Sequence, residues 1–355
     1  MINKVLSIVK EARAEAVLVS NPYNMRYISG FSGGTGYLYI SDSQRKIVTD
    51  SRYTNQAIKE GDKAGFEVVE IGMGGYIKAI NELIKMDKVK ALGFEGGNLL
   101  YSDYSRFNEM LNCDRLVNIG NGLDKLRLIK NCEEIEYLKK AELIGDKAFT
   151  KILDIIKPGI TEIEVGAHLE YFMKMEGAQG LSFETIVASG INSSMPHAGV
   201  SDKKIEMGDF VTMDFGCIYN RYCSDMTRTI VVGKANERQK KIYNTVLKAQ
   251  LAAMEHIREG AVTSEVDKVA RDIINNAGFE GCFLHGLGHS VGMYIHEEPR
   301  LSPSCNVVLQ SGMTQTVEPG IYIKDYGGVR IEDMVIVTKE GYINTTSSQK
   351  SLIEL

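Results

Sequence analysis

Short runs rich in β-branched and aromatic residues recur at Ala16–Ser20, Gly36–Ile40, Lys46–Thr49, Glu67–Glu70 and Lys90–Phe94, and each predicts a strand. Ile77–Met86 has helical spacing instead, and Met1–Lys10 reads as an amphipathic first helix. Lys10, Glu11, Arg13 and Glu15 break any apolar run there, so it is not an export signal. Alternation of strands and helices predicts an α/β domain over residues 1–122. The turn formers of Asn118–Asp124 mark its end, and residues 123–355 are expected to form a second domain.

That second region opens with a long helical pattern through Ile135, Leu138, Ala141, Ala148, Ile152 and Ile155, stopped by Lys157-Pro158-Gly159. Thr161 then starts another helix, placed to cap the amide of Glu164. Pro158–Val165 recurs, about a hundred residues later, as Glu259–Val266, and the pairs Gly159/Gly260, Glu164/Glu265, Gly177/Gly278 and Gly180/Gly281 hold one register. An internally duplicated domain is the expectation, each half running helix, glycine turn, helix, then strands. The strands are expected at Phe183–Ala188, Asp209–Tyr219 and Tyr222–Val232 in one half, and Met313–Val317 and Val329–Val337 in the other. The fold class is α/β (α+β), with a site between the halves.

Composition narrows the function. The 355 residues are 44% hydrophobic and 25% charged, ordinary for folded domains. With 41 Lys+Arg against 46 Asp+Glu, the net charge of −5 offers no basic footprint, which argues against nucleic acid as main partner. Apolar runs such as Ile230–Val232 and Val335–Val337 fall far short of the roughly 20 residues a membrane span needs. Six cysteines without Cys-x-x-Cys spacing indicate neither a disulfide scaffold nor a thiolate zinc site, and point to the cytoplasm.

Candidate chemistry gathers in the second region. Two β-type runs flank the Asn220-Arg221 turn, and antiparallel pairing is expected to set Asp214 and Asp225 directly opposite each other. Bare carboxylates so placed repel, and a divalent cation between them removes the problem. The segment His285-Gly-Leu-Gly-His289-Ser-Val-Gly-Met-Tyr-Ile-His296 holds three of the six histidines, spaced by glycines that disfavour a regular helix and hence argue against a helical zinc motif. Glu318 precedes Pro319-Gly320, and Arg330 and Glu332 share one face of a strand whose other face carries Val329 and Ile331.

In the contexts MDFG, SDMTRT, HGLGHSVG, EPGIY and RIED, the ordered set Asp214, Asp225, His289, Glu318, Glu332 resembles the metal signature of the pita-bread metallopeptidases: methionine aminopeptidases, Xaa-Pro aminopeptidases and Xaa-Pro dipeptidases (prolidases). Asn24–Phe31 and Asp50–Tyr53 resemble the creatinase-type domain that precedes the catalytic domain in the Xaa-Pro enzymes. The resemblance implies a hydrolase with two divalent ions, for which an oxygen-rich set suits manganese, cobalt or iron and admits zinc. It implies that Asp214 and Glu332 bridge the ions, that Asp225 completes one and His289 with Glu318 the other, and that a bridging hydroxide attacks the peptide. On the same terms His197 and His296 are catalytic, substrate-binding histidines, and Glu318 passes a proton to the leaving nitrogen. His285 supports the ligands from behind, Arg330 orients Glu332 at the substrate site, and Arg300 meets the carboxylate of a terminal proline.

The expected activity is that of a homodimeric, cytoplasmic Xaa-Pro dipeptidase acting on small peptides with proline second; the alternative is an Xaa-Pro aminopeptidase taking longer peptides. Metal-free relatives, whether binding proteins or other C–N hydrolases, lack the complete ligand set. Cys217, after Asp214-Phe-Gly216, departs from the small residue often found there, and is expected either to enter the core or to lie near the metals, where oxidation would inhibit.

Overall fold

The computed structural model describes all residues, Met1–Leu355. They divide into two compact units, Met1–Arg127 and Leu128–Leu355.

The first unit contains α1 (Ile2–Glu11), β1 (Ala16–Val19), α2 (Pro22–Ser29), β2 (Tyr37–Ser41), β3 (Arg45–Thr49), α3 (Thr54–Gly61), β4 (Glu67–Glu70), α4 (Gly75–Asp87), β5 (Ala91–Phe94), α5 (Tyr101–Met110) and β6 (Arg115–Asn118). Its six strands form one mixed sheet in the order β4-β3-β2-β1-β5-β6. The period-2 alternation of a strand divides β1 between two cores. Val17 and Val19 pack with Val5, Val9, Met25 and Ile28, whereas Ala16 and Leu18 pack with Ile80, Leu83, Ile84 and Phe107. Helices therefore cover both faces. Ile119 and Leu123 join the first of these cores.

The second unit contains α6 (Cys132–Ile152), α7 (Glu162–Met175), β7 (Gly180–Leu181), β8 (Ile186–Ser189), β9 (Phe210–Phe215), β10 (Cys217–Tyr219), β11 (Tyr222–Cys223), β12 (Met226–Val231), α8 (Glu237–Glu255), α9 (Thr263–Ile274), β13 (Gly288–Ser290), β14 (Glu297–Leu301), β15 (Thr314–Val317), β16 (Gly320–Ile323), β17 (Gly327–Arg330), β18 (Asp333–Val337) and β19 (Tyr342–Asn344). Capping boxes open α6 at Asn131 with Glu134, and α7 at Thr161 with Glu164. The helix ends at Ile152, short of the Ile155 that periodicity includes. There the chain turns so that Gly159, at φ 95°, can donate its N–H to Ile205 O at 2.8 Å.

The duplication is written in these backbone bonds. Gly159 to Ile205, Ile205 to Ile160 and Glu162 to Lys203 are matched by Gly260 to Leu309, Leu309 to Ala261 and Thr263 to Val307, all N–H to O between 2.8 and 3.1 Å. Gly159 and Gly260, both left-handed, make equivalent turns. Each half has its own core. One is centred on Phe149, Leu169, Met213 and Phe215, the other on Ile242, Val246, Leu287 and Ile331.

The expected strand Val329–Val337 is broken. β17 pairs with β16, and β18 pairs with β15 and β19, because between them Glu332 turns its N–H to Thr227 O at 3.1 Å.

Candidate active site

A cavity of about 820 Å³ in the second unit is lined by Asp214, Asp225, His289, Glu318, Glu332, His197, His296, His285, Arg300 and Arg330. All ten candidates from the sequence thus come to one place. Apolar wall is supplied by Leu181, Phe183, Ile186, Val200 and Ile295.

Asp214 projects from β9, between β8 and β12. Its register partner on β12 is Thr227, so the two aspartates are not directly opposed as expected. Asn220 and Arg221, both at positive φ, form the hairpin turn, and this sets Tyr219 against Tyr222 and every later pair with it. Asp225 is consequently a diagonal neighbour of Asp214 on the same face, still within side-chain reach. Gly216 is needed beside it, since a Cβ there would lie 2.0 Å from Ser224 O. Oxygens of Asp214, Asp225 and Glu332 all fall within 4.8 Å of one another. His289 Nε2 stands 3.4 Å from Asp225 Oδ2 and 3.6 Å from Glu318 Oε1, which joins the other two residues to the cluster.

The charges are poorly compensated. Burial, and then the carboxylates of Glu332, Asp214 and Glu318, raise Asp225 well above the usual range. Burial followed by Glu318 and Asp214 does the same to Glu332. Glu318 is pushed up to about 8 by burial, against the opposing pull of Arg330. Burial takes His289 down to about 3, so its ring is neutral. Its Nδ1 lies 3.1 Å from Ser290 O and must donate there, leaving the Nε2 lone pair aimed at two carboxylates. Buried Asp214 Oδ1 has no hydrogen-bond partner. Hard oxygens, one imidazole lone pair and an orphaned carboxylate oxygen are a donor set that divalent cations fit.

Arg330 is directed differently from expectation. Its Nη2 donates to Asp214 Oδ2 at 2.7 Å, Nη1 to Tyr322 Oη at 2.8 Å and Pro196 O at 3.2 Å, and Nε to Thr227 Oγ1 at 3.0 Å. The guanidinium is committed to protein acceptors, while Glu332 is held by Thr227 Oγ1 at 2.6 Å. His285 Nδ1 faces Gly286 O at 2.8 Å and Nε2 faces Tyr322 Oη at 2.9 Å; burial brings its pKa down to about 4. The neutral ring therefore donates from Nδ1 and accepts the tyrosine proton at Nε2. A single chain of hydrogen bonds runs from His285 through Tyr322 and Arg330 to Asp214.

Tyr322 was not among the sequence candidates. Gly327-Gly328 signals it, because a Cβ on its register partner Gly328 would come within 2.8 Å of the ring. Glu142 was missed as well. It accepts the N–H of Asp225 at 2.7 Å and the hydroxyl of Thr346 at 3.0 Å, and its trace in the sequence was an acid next to Ala141 in the apolar stripe of α6, a stripe that also buries Glu134 and Asp146.

His296 is exposed and its ring meets that of His289 edge-on at 4.6 Å; burial, then Arg300 and His197, lower its pKa. His197 is exposed on the loop whose Pro196 carbonyl Arg330 holds. Arg300, 41% exposed at its side chain, has Glu298 3.9 Å away. Cys217 goes to the core rather than to the ligands: it is fully buried, with Sγ 3.5 Å from Ala141 O.

Comparison with known proteins agrees with this geometry. The model of metallopeptidase family M24 matches residues 136–339, and that of the creatinase/prolidase N-terminal domain matches residues 1–129. The chain is 41% identical to the Xaa-Pro dipeptidase of Pyrococcus furiosus over 99% of both chains. Among solved structures it resembles an Xaa-Pro dipeptidase from Bacillus anthracis, at 44% identity and TM-score 0.97 over 100% of this chain and 99% of the other. It also resembles an X-Pro aminopeptidase from Thermotoga maritima, at 34% identity and TM-score 0.90 over 98% and 100%.

Proposed function

The chain belongs to metallopeptidase family M24 and carries a creatinase/prolidase N-terminal domain, and from that premise we propose that it is an Xaa-Pro dipeptidase. The observation that carries the reading is the cavity in which four acids, Asp225 and Glu332 buried and Asp214 and Glu318 half-buried, converge with the lone pair of His289, with Arg300 on the same lining. Relatives named Xaa-Pro dipeptidase, similar along the whole chain, support the substrate class.

Asp214, Asp225, His289, Glu318 and Glu332 would hold two divalent ions, with manganese first among manganese, cobalt, iron and zinc. Ions bound there supply Lewis acidity and a water acidic enough to attack a carbonyl at neutral pH. The remaining work falls to the chain's own residues. His197 and His296 donate to the carbonyl oxygen as negative charge develops on it. Glu318 takes up the proton that the attacking water gives up and delivers it to the proline nitrogen as the C–N bond breaks. Arg330, braced by Tyr322 and His285, fixes Asp214. Arg300 pairs with the carboxylate that a dipeptide presents one residue beyond the scissile bond.

A second reading, an X-Pro aminopeptidase taking longer peptides, is favoured by the size of the cavity and the likeness to the Thermotoga structure. Hydrolysis of Met-Pro and Met-Pro-Gly-Gly by chelated protein, with and without added Mn²⁺ or Co²⁺ and beside Asp225→Asn, separates the readings. Metal-dependent cleavage of Met-Pro in preference is expected. Preference for the tetrapeptide would establish the second reading, and no cleavage with any metal would remove both. A cytoplasmic homodimer completes the proposal; six free cysteines fit a reducing compartment, and light scattering tests the dimer.

A further inference from the structure

Lys130 and Glu297 form an ion pair at 3.0 Å with side chains only 2% and 4% exposed. Removing two charges from water is costly, and apolar residues of similar volume commonly serve stability as well or better. The position of this pair gives it another use. Glu297 follows His296, and Ser290 follows His289. Lys130 Nζ donates to both Glu297 Oε2 and, at 3.4 Å, Ser290 Oγ.

The strand that carries His289 and the strand that starts directly after His296 pair irregularly at this point. β13 and β14 pair Gly288 with Leu301 and His289 with Arg300, but Ser290 with Glu297, so the register shifts between His289 and Ser290. An irregular register is weakly specified by backbone bonding alone. Here side chains hold it. Glu297 Oε1 accepts the N–H of Tyr294 at 3.3 Å, closing the turn, and Gly292 leaves room for the carboxylate, since a Cβ there would stand 2.4 Å from Oε2. Ser290 Oγ shares a hydrogen bond of 2.9 Å with Thr314 Oγ1 on β15. Lys130 itself is anchored outside the hairpin, its N–H on Gly312 O at 2.8 Å.

We propose that Lys130 is a positioning residue for the active site: one ammonium pins the residues following His289 and His296, and so fixes the two rings relative to each other and to the carboxylates. It touches neither substrate nor ligand atoms and acts through the shifted register. The proposal rests on the roles given to the two histidines above.

The test replaces the pair by apolar residues, Lys130→Met with Glu297→Leu, so that no unpaired charge is left. Three quantities are compared with wild type: thermal unfolding, Mn²⁺ affinity by calorimetry, and kcat and KM on Met-Pro. Melting within a few degrees of wild type is expected, with Mn²⁺ affinity or kcat/KM lowered about tenfold or more, the kinetic loss lying in kcat. Lys130→Arg, which keeps the cation, is expected to recover much of the loss. A folded double variant with both quantities within about threefold of wild type would show a merely structural pair and overturn the proposal. If the double variant does not fold, Glu297→Gln, which keeps the shape of the side chain, is judged by the same two quantities and the same threshold. Wild type inactive on every Xaa-Pro peptide would defeat the proposed function, and the Mn²⁺ titration would still decide the role of Lys130.

Discussion

Glu332 and Asp333 are consecutive, 1% and 0% exposed, and in opposite electrostatic states. Burial alone would raise the Asp333 carboxyl, but Arg228 and Lys350 hold it below the usual range, at 2.8 and 2.6 Å, with Asn344 at 2.9 Å. Glu332 faces the other way, has Thr227 as its donor, and shares its space with Asp214 and Asp225. One side chain belongs to a completed ion cluster and the other to a cluster of acids that face one another. Burial therefore does not distinguish a functional acid from a structural one. The sign of the charges facing it does.

The largest expected effects come from breaking each member separately. On the proposed function, Glu332→Gln should cost on the order of a thousandfold in kcat/KM on Met-Pro by removing an acid that would hold the metal. In metal-free protein the same change relieves repulsion among the acids, and the melting temperature should rise. Asp333→Asn should do the reverse for stability, because Arg228 remains buried, and Lys350 half-buried, without their countercharge, a loss of about 3–5 kcal/mol. Melting curves of both variants in chelator read the two signs. A fall in both would mean that the site acids are not in conflict.

The sequence carried the site better than its geometry. Residue types and contexts singled out the ten side chains lining the cavity, because acids and histidines beside glycines and prolines leave strong local marks. The Asn220-Arg221 turn formed where expected, but with Tyr219 facing Tyr222 the register counted outward from it sets Thr227, not Asp225, directly opposite Asp214. Arg330 was assigned to Glu332 from their shared face, yet its reach to Asp214 on another strand depends on how β17 packs against β9. Lys130 and Glu142 left only the trace of a charge among apolar positions. In the first unit, by contrast, all five proposed strands formed near their expected limits, since short runs of β-branched and aromatic residues bounded by turn formers suffice there.

The pH response sharpens the comparison with a smaller effect. Glu318 and Glu142 sit at about 8 in the fold, above the glutamate value of 4.5, so folded protein keeps protons that the unfolded chain gives up. Stability from such groups falls as pH rises from the unfolded value through 8. His289 and His285, lowered to about 3 and 4, act oppositely but only below their ordinary value of 6.5. Between pH 6.5 and 8 the acids act alone, and Asp333 is constant. Metal-free protein should lose stability across that window, by up to about 1.4 kcal/mol per pH unit for each acid still protonated. Saturating Mn²⁺ should flatten the slope. Denaturant unfolding at three pH values in the window, with and without the ion, checks both statements.

Cys217 provides the smallest effect and tests where the site ends. It lies two residues past Phe215 and three past Asp214, yet its thiol belongs to the apolar core with Phe149, Met213 and Met226. Burial pushes its pKa up to about 12, and a thiol that does not ionise is a poor target for peroxide. Cys217→Ala should then lower stability by about 1 kcal/mol through lost packing, leave kcat/KM unchanged, and leave inactivation by peroxide as it was. Protection of the variant would mean that oxidant and solvent reach the back of β10, and that the boundary between closed core and reactive pocket runs deeper than Asp214.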